Sequence, residues 1–234
     1  MLIRAVLFDA VGTLIYADPP VAVAYASAAR RVGADLSEDE IVARFRRAFD
    51  RQDSADRLLH AQRTDPERER QRWREIVDEV FRDAVPCAAD RETLFVELWT
   101  HFAKPESWRA FDDVELCWRS LVERGFVVAI ASNFDDRLEQ IARGIVPLRH
   151  AARLFMSARI GFRKPAGDFF QAVERELGLD PAALVSVGDD PENDYRGAKA
   201  AGWHAILLDR AGGIRSQAPP DVLITSLAEL PDRL

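Results

Sequence analysis

Two rhythms of apolar residues run along the chain, and the switch between them divides it. Short continuous apolar runs, many of them β-branched, lie at 3–8, 126–131, 154–156, 184–187, 204–208 and 222–224. Runs of this length bounded by turn residues predict buried strands, the last of them at an edge. Between the first two runs the rhythm is helical throughout. Residues 21–32 are Ala-rich and are followed by Gly33, where a left-handed C-terminal cap is wanted. Ser37 and Glu40 form a capping box for a helix carrying Ile41, Phe45 and Phe49 on one face. Pro66 starts a third helix, with Trp73, Ile76, Val77, Val80 and Phe81 at helical spacing. A fourth follows Asp90, with Leu94, Phe95, Leu98, Trp99 and Phe102 in step.

After residue 112 strands alternate with helices, which predicts right-handed βαβ units and a mainly parallel sheet. The fold class is therefore α/β: a Rossmann-like, mainly parallel sheet core over 1–16 and 106–234, with an inserted all-helical cap over 17–105. Ile15 to Pro20 reads as a turn-rich connection, and 212–220 as a surface loop. Because the insert departs just after the first strand, it can close over anything bound at the strand ends.

Composition narrows the partners. A net charge of −7 argues against a surface built to bind nucleic acid. No apolar run approaches the ~20 residues of a membrane span, and the N-terminal strand lacks signal-peptide organisation. The expectation is a cytoplasmic protein with neither nucleic acid nor membrane as a partner. Cys87 and Cys117 lack the spacing of a metal or redox motif and are expected to be inert thiols. The Arg/Glu run at 66–72 reads as a solvated helix face, leaving Trp73 buried between two solvated arginines. The four histidines are scattered and are given no role.

Candidate chemistry sits at the predicted strand ends, where ligands bind in open α/β sheets. Asp9 closes the first strand and is followed by Gly12 and Thr13. Ser132 and Asn133 follow the second. Lys164, one of only three lysines, precedes Pro165. Asp189, Asp190 and Asp194 follow the strand at 184–187. This is an inventory for displacement at a phosphoryl group: a carboxylate attacks while an ammonium and a hydroxyl hold the phosphoryl oxygens. Further carboxylates hold a divalent cation, and oxygen ligands without His or Cys favour Mg²⁺ over zinc.

On these residues the chain resembles the haloacid dehalogenase-like hydrolase superfamily, in its branch with a helical cap. The stretches Ser132-Asn-Phe-Asp135 and Gly188-Asp-Asp-Pro-Glu-Asn-Asp194 carry the resemblance most specifically. By position, the resemblance makes Asp9 the nucleophile and has Thr13 orient it. It has Ser132 and Lys164 bind phosphate beside Asn133, and Asp194 tie its loop to Lys164. Mg²⁺ would be held by Asp9, the Val11 backbone carbonyl and Asp189, with Asp190 a neighbour. The implied substrate is a small phosphorylated or anionic metabolite.

The departure is Val11. Phosphatases of the superfamily usually carry there an Asp that protonates the leaving oxygen, and losing a positioned acid/base removes ~10²–10⁴-fold of rate. Dehalogenases of the superfamily also lack it. They differ from this chain where it retains Asp189 and where it has Phe170 rather than Tyr. Phosphonate hydrolases use a lysine early in the cap, whereas Lys104 lies at its returning hinge. The reading is a Mg²⁺-dependent phosphatase-type hydrolase of weak or unusual activity. The alternatives are a non-catalytic Mg²⁺- and anion-binding module of the same fold and a 2-haloacid dehalogenase.

Overall fold

The computed structural model describes residues 2–213 and 219–234; the middle of the loop expected at 212–220 lies outside them. β1 (Ala5–Phe8) runs through the centre of a sheet, and all four of its residues are buried. Its alternation serves both faces. Val6 and Phe8 enter one apolar cluster, and Ala5 and Leu7 enter the other. This is what a parallel strand covered on both sides requires, and why it reads as an unbroken apolar run.

The chain then enters β2 (Ile15–Ala17) and a four-helix insert: α1 (Val21–Arg31), α2 (Glu38–Leu58), α3 (Pro66–Phe81) and α4 (Ala88–His101). Ser37 caps α2 in a capping box with Glu40. The Asp65 side chain accepts from the Arg68 amide at the start of α3. The four helices close around their own apolar cluster, in which Tyr25, Ile76, Phe81 and Phe95 are buried. The chain returns through β3 (Trp108–Ala110), which pairs antiparallel with β2, Ile15 opposite Ala110. The first strand of this ribbon falls where the sequence predicts a turn-rich connection. Three-residue strands contributed from opposite ends of the insert carry no period long enough to detect.

Beyond it come α5 (Val114–Glu123), β4 (Val127–Ser132), α6 (Arg137–Gly144), β5 (Leu154–Met156), α7 (Ser157–Ile160), α8 (Gly167–Leu177), β6 (Leu184–Gly188), a π-helical turn over Pro191–Arg196, α9 (Gly197–Ala200), β7 (His204–Leu208) and β8 (Leu223–Ile224). The six-stranded sheet has order β5-β4-β1-β6-β7-β8, and all its pairings are parallel. β1 is thus flanked by β4 and β6, so the ends of these three strands face one another across a single edge.

One expectation fails in the insert. Glu69 and Arg72, assigned to a solvated face, are 2% and 1% exposed. Arg72 donates to Asp56 at 2.9 Å and to Asp53. Glu69 accepts from Arg163, which belongs to the sheet core. Charged residues are buried when partners satisfy them, and the partners here lie on other elements.

Candidate active site

The first wall of the site is the turn that ends β1. The Asp9 amide donates to Val187 of β6 at 2.9 Å, and the Leu14 and Ile15 amides both donate to the Ala10 carbonyl. The chain reverses at Gly12, whose φ of +86° suits a residue without a Cβ. A second reason for glycine is space: a Cβ there would lie 2.3 Å from an Asp189 carboxylate oxygen. The Val11 carbonyl accepts no hydrogen bond from a described residue, and its side chain is 40% exposed.

Lys164 is the centre of the arrangement. Its ammonium donates to Asp9 at 2.9 Å, to Asp194 at 2.5 Å and to the Ala131 carbonyl at 2.7 Å. Its backbone is clamped by Asn133, which accepts from the Lys164 amide at 2.7 Å and donates to the Lys164 carbonyl at 3.0 Å. Asn133 thus fixes the lysine backbone at both its amide and its carbonyl. Ser132 is buried at the end of β4, next to the Asn133 clamp. Thr13, wholly buried, donates its hydroxyl to Asp189 at 2.9 Å. The resemblance had it orient Asp9; here it holds the carboxylate on the neighbouring strand end.

Asp190 accepts from the Glu192 and Asn193 amides and so opens the π-helical turn. That turn swings Asp194 back until its second oxygen accepts from the Asp190 amide at 3.1 Å. The Asp194 carboxyl lies directly over Gly188, where a Cβ would come within 2.1 Å of it.

Oxygens of Asp9, Asp189 and Asp194 all lie within 4.8 Å of one another. Three carboxylates around one ammonium leave the site short of positive charge, and the ionisation of its members reflects this. Burial, then the Asp9 carboxylate, pushes the Asp189 carboxyl up to about 6, against the Thr13 hydrogen bond. Burial also raises Asp194, although Lys164 pulls it back. Burial alone would lower Lys164, but Asp194 and Asp9 outweigh it and hold the ammonium above its usual range. Hard oxygen donors with unbalanced negative charge fit a cation such as Mg²⁺. Asp194 is committed to Lys164, so Asp9, Asp189 and the Val11 carbonyl are the groups that could hold it.

Beside Lys164 lies a polar cavity of about 100 Å³ between the insert and the core. The insert contributes Asp53, Arg57 and Gln62, and the core Asn133, Lys164 and Asp190. The insert is seated here by backbone as well as by charge. The Arg163 amide donates to the Gln62 carbonyl at 2.8 Å, and the Thr64 amide to that of Gly161 at 3.0 Å. Ala61 and Gln62 adopt φ of +48° and +62° to make this turn. None of the insert residues was anticipated; the one hint was the Arg163-Lys164 dipeptide. A second clamp also went unread. Arg210, beyond β7, donates to the Thr13 carbonyl at 2.8 Å and to both oxygens of Asp113. It braces the turn that carries Asp9.

A parallel sheet with an aspartate at the end of its central strand, a buried lysine bonded to it and an acidic loop on the adjacent strand defines an enzyme class: a hydrolase built on a Rossmann-like core. Within that class the chain belongs to the haloacid dehalogenase-like hydrolases, whose family model matches residues 3–202. It is 32% identical to haloacid dehalogenase-like hydrolase domain-containing protein 3 of Danio rerio, over 99% of this chain and 96% of that protein. It is 27% identical to a phosphoserine phosphatase of Thermus thermophilus, over 65% of this chain and 63% of that one. Among solved structures, a defluorinating L-2-haloacid dehalogenase superposes with a TM-score of 0.77 at 20% identity, covering 99% of this chain and 95% of its own. At that identity the likeness speaks for the fold alone.

Proposed function

We propose that this hydrolase is of the phosphatase type, acts on a small phosphorylated metabolite in the cytoplasm, and works through an aspartyl-phosphate on Asp9. The observation that carries the reading is the Lys164 ammonium held between Asp9 and Asp194, with Asp189 on the adjoining strand end. A lysine so placed aims Asp9 and offers charge to the oxygens of an incoming phosphoryl group. Ser132 supplies a hydroxyl at the neighbouring strand end, while Asn133 and Asp194 hold the lysine from backbone and side chain. Mg²⁺ held by Asp9, Asp189 and the Val11 carbonyl would offset repulsion between the anionic nucleophile and the anionic substrate. The helical insert acts as a cap that excludes water and bounds the substrate space. The Thermus phosphoserine phosphatase supports the phosphatase class over dehalogenation, as does the retention of Asp189 and Asp194.

The test is turnover of a panel of phosphorylated metabolites with and without Mg²⁺, alongside Asp9→Asn and Lys164→Met. The expected result is Mg²⁺-dependent phosphate release that Asp9→Asn abolishes. Unchanged release by Asp9→Asn would remove the nucleophile assignment. Mg²⁺ and phosphate binding without turnover of any compound would make the protein a binding module instead.

A further inference from the structure

We propose that the substrate carries its phosphoryl group on an acidic leaving group, as an acyl phosphate or a phosphoanhydride, rather than as the ester of an ordinary alcohol. The inference rests on the phosphatase reading above and narrows it. It follows from where protons are, and are not, around Asp9.

An alcohol expelled from phosphorus departs as a strong base unless a positioned acid protonates it. Of the side chains near Asp9 that carry a proton, the buried Ser132 hydroxyl is no stronger an acid than the alcohol itself, and the others are committed. The Lys164 ammonium has three donors and three acceptors, Asp9, Asp194 and the Ala131 carbonyl. The Thr13 hydroxyl is buried and given to Asp189. The Asn133 amide is given to the Lys164 carbonyl. The carboxylates lining the adjoining cavity are spoken for as acceptors. Asp53 pairs with the buried Arg72, Asp190 takes the Glu192 and Asn193 amides and the Asn193 side chain, and Glu192 pairs with Arg196. The side chain on the open side of the turn, two residues past the nucleophile, is Val11, 40% exposed and without a proton to give.

A leaving group that is stable as an anion needs no such donor. A carboxylate departs with a conjugate acid near ~4 and a phosphate with one near ~6, both ionised at neutral pH. In the first step an Asp9 oxygen bonds to phosphorus, and the bond from phosphorus to the leaving oxygen breaks with its electron pair on that oxygen. In the second, water attacks phosphorus and the Asp9 oxygen leaves as carboxylate. One water proton stays on the phosphate and the other goes to solvent. The second step also lacks a base to take the water proton, so the phosphorylated protein outlives its formation.

The experiment compares acetyl phosphate with glycerol phosphate in acid-quenched time courses with Mg²⁺, reading phosphorylated protein by intact mass and phosphate release in parallel. Wild type should give a burst approaching one phosphoryl group per chain from acetyl phosphate, then slow release. Glycerol phosphate should phosphorylate it at least ~10²-fold more slowly, the value of a missing acid. Val11→Asp should close most of that gap and shorten the lifetime of the phosphorylated protein; its exposed position makes it tolerable to the fold, checked by circular dichroism. Comparable rates from the two compounds in wild type, with no burst, would overturn the inference and leave the phosphatase reading standing. No phosphorylation and no phosphate release from either compound, nor from a wider panel, would overturn both.

Discussion

The seam between the helical insert and the sheet is held by Arg163, and replacing it tests how. Arg163 is 5% exposed and pairs with Glu69 of α3, its Nε lying 3.7 Å from Asp56 of α2. In Arg163→Met the two acidic partners fare differently. Asp56 keeps Arg68 at 2.8 Å and Arg72 at 2.9 Å. Glu69, 2% exposed, keeps as its hydrogen-bond partner among the described residues only the Thr64 hydroxyl at 2.8 Å. Removing one partner of a buried pair costs ~3–5 kcal/mol, largely as the uncompensated charge left behind. With Asp56 still satisfied, the loss belongs at the lower end, about 3 kcal/mol. At ~2–4 °C per kcal/mol for a chain of this size, the melting temperature should fall by roughly 6–12 °C. The companion is Arg163→Met/Glu69→Met, which removes the stranded charge and fills the space with apolar atoms. It should lie within ~1 kcal/mol of wild type, since apolar replacement of a whole buried pair is often neutral. Urea denaturation of wild type, both single variants and the double variant gives the coupling energy directly. A single-variant cost below ~1 kcal/mol, or a double variant no better than the sum of the singles, would refute the idea that Glu69 depends on Arg163.

Three further outcomes follow from the site. Gly188→Ala would place a Cβ within 2.1 Å of the Asp194 carboxyl; it should destabilise by ~1–3 kcal/mol, as overpacking does, and lower Asp9 phosphorylation by shifting Asp194 off Lys164. Asp189 supplies a pH dependence. Its folded-state value is raised from 3.8 to about 6, so the folded protein retains a proton that the unfolded chain has released. Stability of metal-free protein should therefore fall as pH rises through that window, by up to roughly 3 kcal/mol. Asp189→Asn should make this decline shallower, the raised Asp194 carboxyl supplying what remains, read as urea midpoints at pH 5 and pH 8 in chelator, and should also abolish stabilisation by added Mg²⁺. Arg210→Met should cost roughly 1–3 kcal/mol through the lost charge-assisted bonds to Asp113 and the Thr13 carbonyl, and slow Asp9 phosphorylation while leaving the Asn133–Lys164 clamp intact.

The sheet and its polar strand ends were legible because each rests on local sequence. β1, β4, β6 and β7 are continuous apolar runs, and the capping box at Ser37 and the proline at Pro66 announce two helices of the insert. Asp9, Asp189 and Asp194 could be picked out because each lies just past such a run or in a short acidic loop, and Lys164 because the chain has only three lysines. What escaped are relations between distant segments. The Thr13 hydroxyl donates to Asp189, 176 residues away. Glu69 looks solvated by its helical surroundings because its partner Arg163 is 94 residues on. Asp135 pairs through both oxygens with Arg137, two residues on. Arg137 in turn stacks on Trp99 of the insert at 3.5 Å. Charge patterns report exposure only where partners are near in sequence.

These long-range relations have a common geometry. Arg163 and Lys164 are consecutive, and their side chains serve different bodies: the arginine reaches Glu69 and Asp56 in the insert, the lysine reaches Asp9 and Asp194 in the core. Asn133 fixes the lysine backbone from the core side, and the Gln62 carbonyl fixes the arginine amide from the insert side. Any shift of the insert that breaks the Gln62 and Glu69 contacts therefore pulls on the segment carrying the ammonium, with Asn133 as the restraint that resists it. If that coupling operates, Lys164 should stay on Asp9 only while both anchors are made. On this geometry Asn133→Ala and Arg163→Met each loosen one anchor, and together should slow Asp9 phosphorylation by more than the product of their separate effects. Multiplicative effects would show that the two anchors act independently and that the seating of the insert does not reach the lysine.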